Sequence, residues 1–401
     1  MREASMILLA LLLALTFISW IYWIFACWCV RVFFRNPQAV DPDFYPPVSI
    51  LKPVKGLDPQ AYENFLTFVR QNYPEFEILF GVLDADDPAV PVIERFQREF
   101  SEPNIRLIIA DPLGTNPKVS ILHHLVKQAR YEVLAISDSD MRVTPDYLSR
   151  VVAPLANPKT GLVTCLYKGG EALNLTARLE ALYIGGAFLP SILVGRRYLA
   201  GRFALGATLV LRRSDLIAVG GFGAIADYLA DDYELGARIG AQGRRVHLSD
   251  CIATTILGAE SLREFWDRQL RWAKCIRVSR WQEYPGLLIT FSTPLAMATA
   301  TASRFAPWGL ATVVTSITLR WGVAWLVSGH TDDRVLRRSL LWLPLSDLLI
   351  FFIWCAGGVG RRVVWRGQRF ELASGGRLRI AEPIPLEEVT GGREGFERTM
   401  R

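Results

Sequence analysis

Acidic side chains follow two of the apolar runs in this sequence. Asp138 and Asp140 come directly after the run VLAIS, and Asp84 follows the run ILFGVL. If the strand continues through residue 140, Asp138 and Asp140 point to one face, where two carboxylates repel each other unless a cation lies between them. Hard divalent cations prefer carboxylate oxygens and commonly bridge them to substrate phosphates. We therefore expect this pair to bind Mg²⁺ or Mn²⁺ and, through it, a diphosphate.

Each acidic cluster also has a purely structural interpretation. Asp87 precedes Pro88, and a capping residue before a proline is typical of a helix start. We therefore favour a capping role for Asp87 and take Asp84 as the residue that contacts substrate. Asx turns in a loop are the alternative for Asp138 and Asp140, and their spacing at a strand end disfavours it.

Two further charged segments lie at predicted helix starts. Lys118, in NPKVS, comes just ahead of a helix, where its ammonium and free backbone N–H groups can meet a phosphate. A surface lysine is the alternative. Asp231 and Asp232, in DYLADDYELG, begin a second helix soon after the glycine-rich VGGFG. One of them can cap that helix, which leaves the other free to act on a substrate.

A basic segment, RQLRWAKCIR, places two guanidinium groups one helical turn apart. Arg268 and Arg271 can therefore face one anion, with Trp272 beside them. A basic amphipathic helix lying on a membrane explains the same residues nearly as well. The segment alone does not decide between these interpretations.

Short β-rich runs alternate with amphipathic helices over residues 47–284. The runs VSILK, FEILFGVL, IRLIIA and VLAIS are nearly continuous in apolar character, as buried parallel strands are. Predicted helix starts are marked by Asp58-Pro59, Asp87-Pro88 and Thr144-Pro145. The alternation predicts an α/β fold with an open, mostly parallel, Rossmann-like sheet, whose ligands bind beyond the carboxyl ends of the strands.

The N-terminal segment is long and apolar enough to cross a membrane. No charge occurs from Met6 to Val30, about 25 residues at about 1.5 Å each, against a hydrocarbon core of about 30 Å. A cleaved signal peptide would be shorter and end in small residues. We interpret residues 1–35 as an anchor. Arg31 and Arg35 follow the apolar run, which by the positive-inside rule places the next domain in the cytoplasm.

Residues 285–360 contain three more apolar runs, near residues 285–303, 306–328 and 339–360. A basic tail, residues 361–401, follows and is expected to be cytoplasmic, so an even number of crossings must precede it. We expect two crossings, with the first run, interrupted by Pro294, interfacial or re-entrant. The protein is thus predicted to be a multi-pass protein of the inner cell membrane.

The composition of the chain limits the kinds of molecule that it is expected to bind. The chain has 401 residues, 51% of them hydrophobic, and a net charge of +6, which suits anionic headgroups and anionic substrates. The arginine–aromatic ladder of a nucleic-acid interface is missing, so no nucleic acid is expected. The six cysteines form no C-x-x-C pair, so disulfides and structural zinc are not expected. An apolar segment, YIGGAFLPSILVGRRYLAG, ends in Arg196 and Arg197 and is either an interfacial binding element for a lipid acceptor or a buried core helix.

The ordered set VLDADDP, NPK, DSD, ADDY and R-x-x-R-W, between apolar termini, resembles the ceramide glucosyltransferase family, glycosyltransferase family 21, of GT-A-fold enzymes. That family includes bacterial hopanoid-biosynthesis glycosyltransferases. The resemblance implies that Asp84 contacts the nucleotide, Asp140 binds the metal and Asp232 is the catalytic base. It also implies that Arg268, Arg271 and Trp272 form the (Q/R)-x-x-R-W element. Eukaryotic members often break the D-x-D element, whereas this chain keeps Asp138 and Asp140.

The chemistry implied by the resemblance is an inverting displacement at the anomeric carbon of a UDP-sugar. Asp232 would take the proton of the attacking hydroxyl. The metal, Lys118, Arg268 and Arg271 would stabilise the departing diphosphate.

For the acceptor, stretches such as GLVTCLY and FLPSILVGRR look closer to the hopanoid branch, which favours UDP-N-acetylglucosamine and a hopanoid. Ceramide with UDP-glucose is the alternative. A processive polysaccharide synthase or a non-enzymatic membrane scaffold is disfavoured, because the first needs more membrane segments and the second leaves the acidic clusters unexplained.

Overall fold

A computed structural model describes residues 2–35, 38, 43–198, 203–365 and 368–380 of the 401-residue chain. Arg366 and residues 381–401 of the predicted basic tail lie outside the described residues. The strands are β1 (Val48–Pro53), β2 (Phe76–Val82), β3 (Asn104–Ile109), β4 (Val133–Ile136), β5 (Met141–Arg142), β6 (Thr160–Ala172), β7 (Leu209–Arg212), β8 (Arg245–Gly258), β9 (Arg362–Trp365), β10 (Gln368–Leu372) and β11 (Leu378–Ile380). The helices are α1 (Arg2–Arg35), α2 (Ala61–Val69), α3 (Val90–Glu99), α4 (Pro117–Gln128), α5 (Tyr147–Val152), α6 (Leu175–Tyr183), α7 (Leu189–Tyr198), α8 (Arg213–Ala218), α9 (Asp231–Ala241), α10 (Leu262–Ser279), α11 (Ser292–Ala302), α12 (Pro307–Thr331), α13 (Arg334–Arg338) and α14 (Leu343–Gly357).

The main sheet has the strand order β3-β2-β1-β4-β7-β6-β8-β5. Strands β3, β2, β1 and β4 are parallel, and β6 and β8 form a second parallel pair. β7 runs antiparallel between β4 and β6, and β5 runs antiparallel to β8. The four strands predicted from apolar runs are confirmed as β1 to β4. The mostly parallel α/β fold is therefore confirmed.

The sheet is buried on both faces, which explains why its parallel strands are apolar throughout. Ile50 and Ile78 pack into one core cluster with helices α2 and α3, while Leu51 and Leu79 pack into a second cluster with α4. Alternate residues of one strand thus face opposite cores. Helices on both faces leave the carboxyl ends of β1, β2 and β4 at one open edge.

Two of the aspartates that were predicted to cap helices accept hydrogen bonds from other groups instead. No side chain caps α2, α3 or α5, because the prolines after Asp58, Asp87 and Thr144 lie in turns that precede these helices. The Asp87 carboxylate instead accepts from the backbone N–H groups of Gly56 (2.8 Å) and Ala89 (2.9 Å). Asp58 accepts from the Ser139 hydroxyl. The capping prediction was wrong for these residues, and both carboxylates hold loops around the acidic edge.

Helices α1 and α12 lie side by side and run in the same direction. Trp20 donates to Ser316 (2.7 Å), and the Phe34 ring stacks on His330 at 5.1 Å. α11 runs the opposite way against α1, and its 11 residues span only about 16 Å. Within the described residues, four helical segments are long and apolar enough to cross a membrane: Glu3–Arg35, Leu175–Arg197, Pro307–Thr331 and Leu340–Gly357. This is a membrane protein with several apolar helices.

A small antiparallel sheet of β9, β10 and β11 packs against α10. The Leu378 N–H donates to the Asp227 carbonyl (2.6 Å), and the Leu229 N–H donates to the Gly376 carbonyl (3.1 Å). Residues 376–378 therefore hold the loop that leads into α9.

Candidate active site

The acidic turn Asp138–Asp140 lies between β4 and β5. β4 ends at Ile136, so the strand does not continue through these residues as the sequence argument had assumed. The buried Lys52 of β1 donates to the Asp138 carbonyl (2.6 Å) and thereby fixes the turn to the sheet. The Asp140 carboxylate accepts from the Thr255 hydroxyl (2.9 Å) on β8. The turn is thus fixed by two strands that approach it from different parts of the chain.

Lys118 lies in the first turn of α4, which Asn116 caps by accepting from the Val119 N–H (3.1 Å). Its ammonium is 2.6 Å from the Asp138 carboxylate and 3.6 Å from that of Asp231. Burial alone would lower the pKa of Lys118, but the two carboxylates outweigh it and raise the pKa above its ordinary value. A permanent positive charge therefore links the acidic turn with α9.

Asp232 follows Asp231 at the start of α9, and neither side chain caps that helix. The Asp232 carboxylate accepts from the backbone N–H groups of Gly206 (2.7 Å) and Tyr233 (2.7 Å). Burial, together with the neighbouring Asp231, raises the pKa of Asp232 to about 6. Such a carboxylate is ionised at neutral pH yet basic enough to accept a proton from a hydroxyl.

Gly206 permits this arrangement because it has no side chain. A Cβ at this position would lie 3.2 Å from an Asp232 carboxylate oxygen and 3.3 Å from the Lys118 nitrogen. The backbone can therefore approach Asp232 closely enough to donate.

Arg268 does not extend freely towards the acidic turn. On α10, its guanidinium binds Glu180 of α6 (Nε to Oε1, 2.8 Å) and also contacts Glu260. Burial and the neighbouring Glu180 raise the pKa of Glu260 to about 9. Burial lowers the pKa of Arg268, but Glu180, Glu260 and Asp140 outweigh it and raise the pKa above its ordinary value. The Asp140 carboxylate is close enough to contribute, so α10 lies near the acidic turn.

Arg271 and Trp272 contact other elements. The Arg271 guanidinium lies 5.5 Å from the ring centroid of Trp365 in β9, and the Trp272 ring stacks on Phe188 at 6.4 Å. Phe188 ends a π-helical turn between α6 and α7, in the apolar segment that was proposed to bind the acceptor. Two thirds of the most apolar 18-residue stretch within Leu175–Arg197 is buried. This burial agrees with the alternative interpretation of the segment as a buried core helix.

Asp84 lies in the loop after β2, two strands from β4. Its side chain is exposed and accepts from the Asp86 N–H (3.0 Å). Two strand spacings put the ends of β2 and β4 about 10 Å apart, so Asp84 lies on the rim of the same edge. Among the described residues, no group of three or more His, Cys, Asp or Glu side chains is placed to hold a metal ion.

A sequence model of the family described as Glycosyl transferase family 21 matches residues 11–378. The chain belongs to glycosyl transferase family 21. This family-21 enzyme is a hexosyltransferase, and the family implies a nucleotide-sugar donor. It is 26% identical over 365 residues to ceramide glucosyltransferase 1 of Caenorhabditis elegans, covering 87% of this chain and 77% of the relative. Ceramide glucosyltransferase 3 of the same organism is 26% identical over 350 residues, covering 83% and 74%.

The fold of the family-21 enzyme is similar to that of a solved mannosyltransferase, PcManGT from Pyrobaculum calidifontis, in complex with GDP-Man and Mn²⁺. The TM-score is 0.52 at 18% identity, and the match covers 87% of this chain and 99% of the mannosyltransferase. The chain thus has a GT-A-like sheet with apolar helices before and after it.

Proposed function

We propose that this enzyme transfers a hexose from a UDP-sugar to the hydroxyl of a membrane lipid, with inversion at the anomeric carbon. The observation that carries the proposal is the geometry of Asp232. Its carboxylate is fixed by two backbone N–H groups, has a pKa of about 6 and lies beside the Lys118 ammonium. A base and a cation for a departing anion are thereby held together.

In the proposed reaction, the acceptor oxygen forms a bond to the anomeric carbon while the bond from that carbon to the diphosphate breaks. The hydroxyl proton passes to Asp232, and the diphosphate leaves with the bonding electrons. Lys118 and Arg271 are assigned to the diphosphate, with Asp84 and Asp138 contacting the donor. Arg268 is assigned to neutralising the buried Glu180, with Trp272 packing the acceptor segment against α10.

The acidic turn fits a divalent cation. Mg²⁺ is usually held by one or two carboxylates together with substrate phosphates, so a third protein carboxylate is not required. The Asp138 side chain is 34% exposed and reachable. Asp140 and Asp138 would hold Mg²⁺ or Mn²⁺, and the ion would neutralise charge on the diphosphate.

For donor and acceptor, the relatives support the alternative better than the hopanoid interpretation. Both relatives described above are named ceramide glucosyltransferases. We therefore propose ceramide and UDP-glucose as the first pair to test. A hopanoid with UDP-N-acetylglucosamine is the second, because of the sequence stretches that favoured it.

The proposed membrane arrangement follows the charge distribution. Residues 1–35 anchor the protein, residues 47–284 form the cytoplasmic catalytic domain, and residues 285–360 return to the membrane before a cytoplasmic tail at 361–401. Because α12 runs in the same direction as α1, the chain must cross the membrane between the catalytic domain and the start of α12. Residues 285–303 are therefore proposed as the first of the two crossings and α12 as the second, which revises the expectation that the first run is interfacial or re-entrant.

The experiment that tests this proposal combines each of two sugar donors with each of two lipid acceptors. Purified full-length protein is incubated with UDP-glucose or UDP-N-acetylglucosamine, and with ceramide or bacteriohopanetetrol, and products are identified by mass spectrometry. A single hexosylceramide is expected from UDP-glucose, and none from Asp232→Asn. Glycosylated hopanoid alone would overturn the acceptor, whereas a polymer or no product would overturn the function.

A further inference from the structure

A cavity of about 430 Å³ lies at the C-terminal end of α1. One wall is apolar and aromatic and comes from α1, and the opposite wall comes from α7. The lining side chains that matter here are Trp28, Val32, Phe33, Leu193, Arg196 and Arg197. The volume lies in the range of small-molecule sites, and the combination of apolar wall and guanidinium groups suits an amphiphile with an anionic head.

Arg196 and Arg197 are adjacent cations without a carboxylate partner within the described part of the chain. Their guanidiniums lie over aromatic rings instead, Arg196 at 5.1 Å from Phe33 and Arg197 at 5.2 Å from Trp28. Arg150, Arg268 and Arg320, by contrast, each bind carboxylates. Two neighbouring guanidiniums on one cavity are therefore available to a phosphate, which accepts several charge-assisted hydrogen bonds.

Two further polar residues line the cavity with unused hydrogen-bonding atoms. Gln38 Oε1 and His247 Nε2 are buried without a hydrogen-bond partner among the described residues. Gln38 Nε2 is already committed to the Leu248 carbonyl (2.9 Å), so the free atom is an acceptor. Burial, with Arg196 nearby, lowers the pKa of His247 to about 4, so its ring is neutral at pH 7. Buried polar atoms of this kind normally have a partner, and a headgroup that carries hydroxyls and phosphate oxygens offers one.

The position of the cavity favours a bilayer lipid as the occupant. Of the four apolar spans, α1 is the most exposed, because only 11% of its most apolar 18-residue stretch is buried. At the rim of the cavity, the Trp28 side chain is 44% exposed. A lipid can thus enter sideways along α1. The acceptor site is elsewhere, because His247 and Thr255 are eight residues apart on β8, which is roughly 25 Å along a strand.

We propose that this cavity binds an anionic phospholipid, with its phosphodiester between Arg196 and Arg197 and an acyl chain along Val32 and Leu193. The bound lipid bridges α1 and α7. It is therefore a structural lipid of the membrane-anchored domain, separate from the donor and acceptor of the proposed reaction.

The test is native mass spectrometry of the purified full-length protein in detergent, titrated with phosphatidylglycerol, phosphatidylcholine or glycerol phosphate. Both lipids carry a phosphodiester, but the choline cation of phosphatidylcholine cancels its charge and is repelled by the arginines. We therefore expect phosphatidylglycerol to bind roughly ten- to thirtyfold more tightly, because each arginine beside a net anionic headgroup contributes about a factor of five. Glycerol phosphate is expected not to bind. Equal affinity for both lipids, or binding of glycerol phosphate as tight as that of phosphatidylglycerol, would overturn the proposal.

Three variants distinguish the loss of the two arginine charges from a general effect on folding. The double variant Arg196→Gln/Arg197→Gln should lose the preference for phosphatidylglycerol. The matched control Arg337→Gln/Arg338→Gln also removes two adjacent exposed arginines, one of them over Trp325 at 5.1 Å, and should keep it. Val32→Trp fills the cavity from an exposed position, keeps both charges and should reduce binding of phosphatidylglycerol. A double variant that keeps the preference for phosphatidylglycerol, or a Val32→Trp variant that binds phosphatidylglycerol as tightly as the native protein, would show that the lipid binds elsewhere.

Discussion

The Lys118 ammonium lies 2.6 Å from the Asp138 carboxylate, at the point where the sequence argument placed a divalent cation. The same ammonium is 3.6 Å from Asp231, so one lysine joins the acidic turn to the start of α9. A metal that arrives with a diphosphate must therefore share Asp138 with Lys118 or bind chiefly through Asp140. The positive charge for the leaving group is partly built into the protein itself.

Replacing Lys118 by Met should therefore impair transfer strongly. Loss of the ammonium removes a donor for the diphosphate, a change that typically costs about 100-fold in kcat. It also leaves Asp231 and Asp232 without their cation, so the pKa of Asp232 should rise further and the acid limb of the pH–rate profile should move to higher pH. Lys127→Met, at the exposed end of the same helix, is the control and should retain activity.

Asp232→Asn should abolish transfer while leaving UDP-sugar affinity nearly unchanged. The base acts on the acceptor proton and not on the donor, so the loss appears in kcat, at about 100-fold or more. In the native enzyme the rate should rise as the pH increases through about 6, because the base must be ionised. Steady-state kinetics and calorimetry of UDP-glucose binding check both. Residual turnover near the native rate would assign the base elsewhere, with Asp231 the next variant to examine.

Asp140→Asn should weaken the metal-supported binding of the nucleotide-sugar. Calorimetric titration of the donor with and without Mn²⁺ measures the effect. Thr255→Val is the matched control: it removes the hydroxyl that donates to Asp140 but keeps the carboxylate, so it should change the affinity less. If the Asp140 variant keeps its full response to Mn²⁺, the metal does not bind at this turn.

The sequence predicted strands β1 to β4 of the main sheet well and strands β5 to β8 less well. β1 to β4 are short and continuously apolar, which is a local signal. β6 and β8 carry polar residues that bind groups outside the sheet: Lys168 donates to the Thr331 carbonyl at the end of α12, and Asp250 accepts from Arg150 of α5. Pairing between strands distant in sequence has no local signature.

The sequence predicted candidate site residues one at a time, but it did not predict the partner that each of them has in the structure. Periodicity placed Arg268 and Arg271 on neighbouring positions of a helix, yet Glu180 and Glu260 were not identified. The only signal for Glu180 was a carboxylate within the apolar run LEALYIGG, where it is 1% exposed. A buried charge needs a partner, but the sequence does not say which residue supplies it.

Arg268 offers a test of that partnership. Arg268→Ala leaves the buried Glu180 without its cation, which should destabilise the protein by about 3–5 kcal/mol. Arg268→Ala combined with Glu180→Gln should recover part of this loss, while activity stays low if α10 loses its position beside Asp140. Thermal unfolding and donor binding of the single and double variants decide between a structural and a donor-binding role.

The last prediction concerns Arg320 of α12 and Asp347 of α14, a buried ion pair among the apolar helices. The guanidinium donates twice to the carboxylate, at 3.0 and 2.8 Å, and once to the Gly186 carbonyl at 2.7 Å. It also lies 3.8 Å from the ring centroid of Trp23. This one side chain therefore connects α1, α12, α14 and the π-helical turn of the catalytic domain.

Arg320→Met should destabilise the protein by about 3–5 kcal/mol, because Asp347 is left as an unpaired buried charge. The double variant Arg320→Met/Asp347→Leu removes both charges and should recover much of that loss, since apolar replacement of a buried pair is often nearly neutral. Unfolding of the three proteins in one detergent gives the comparison. A double variant as unstable as Arg320→Met would show that the contacts with Gly186 and Trp23, and not the ion pair, hold the helices together.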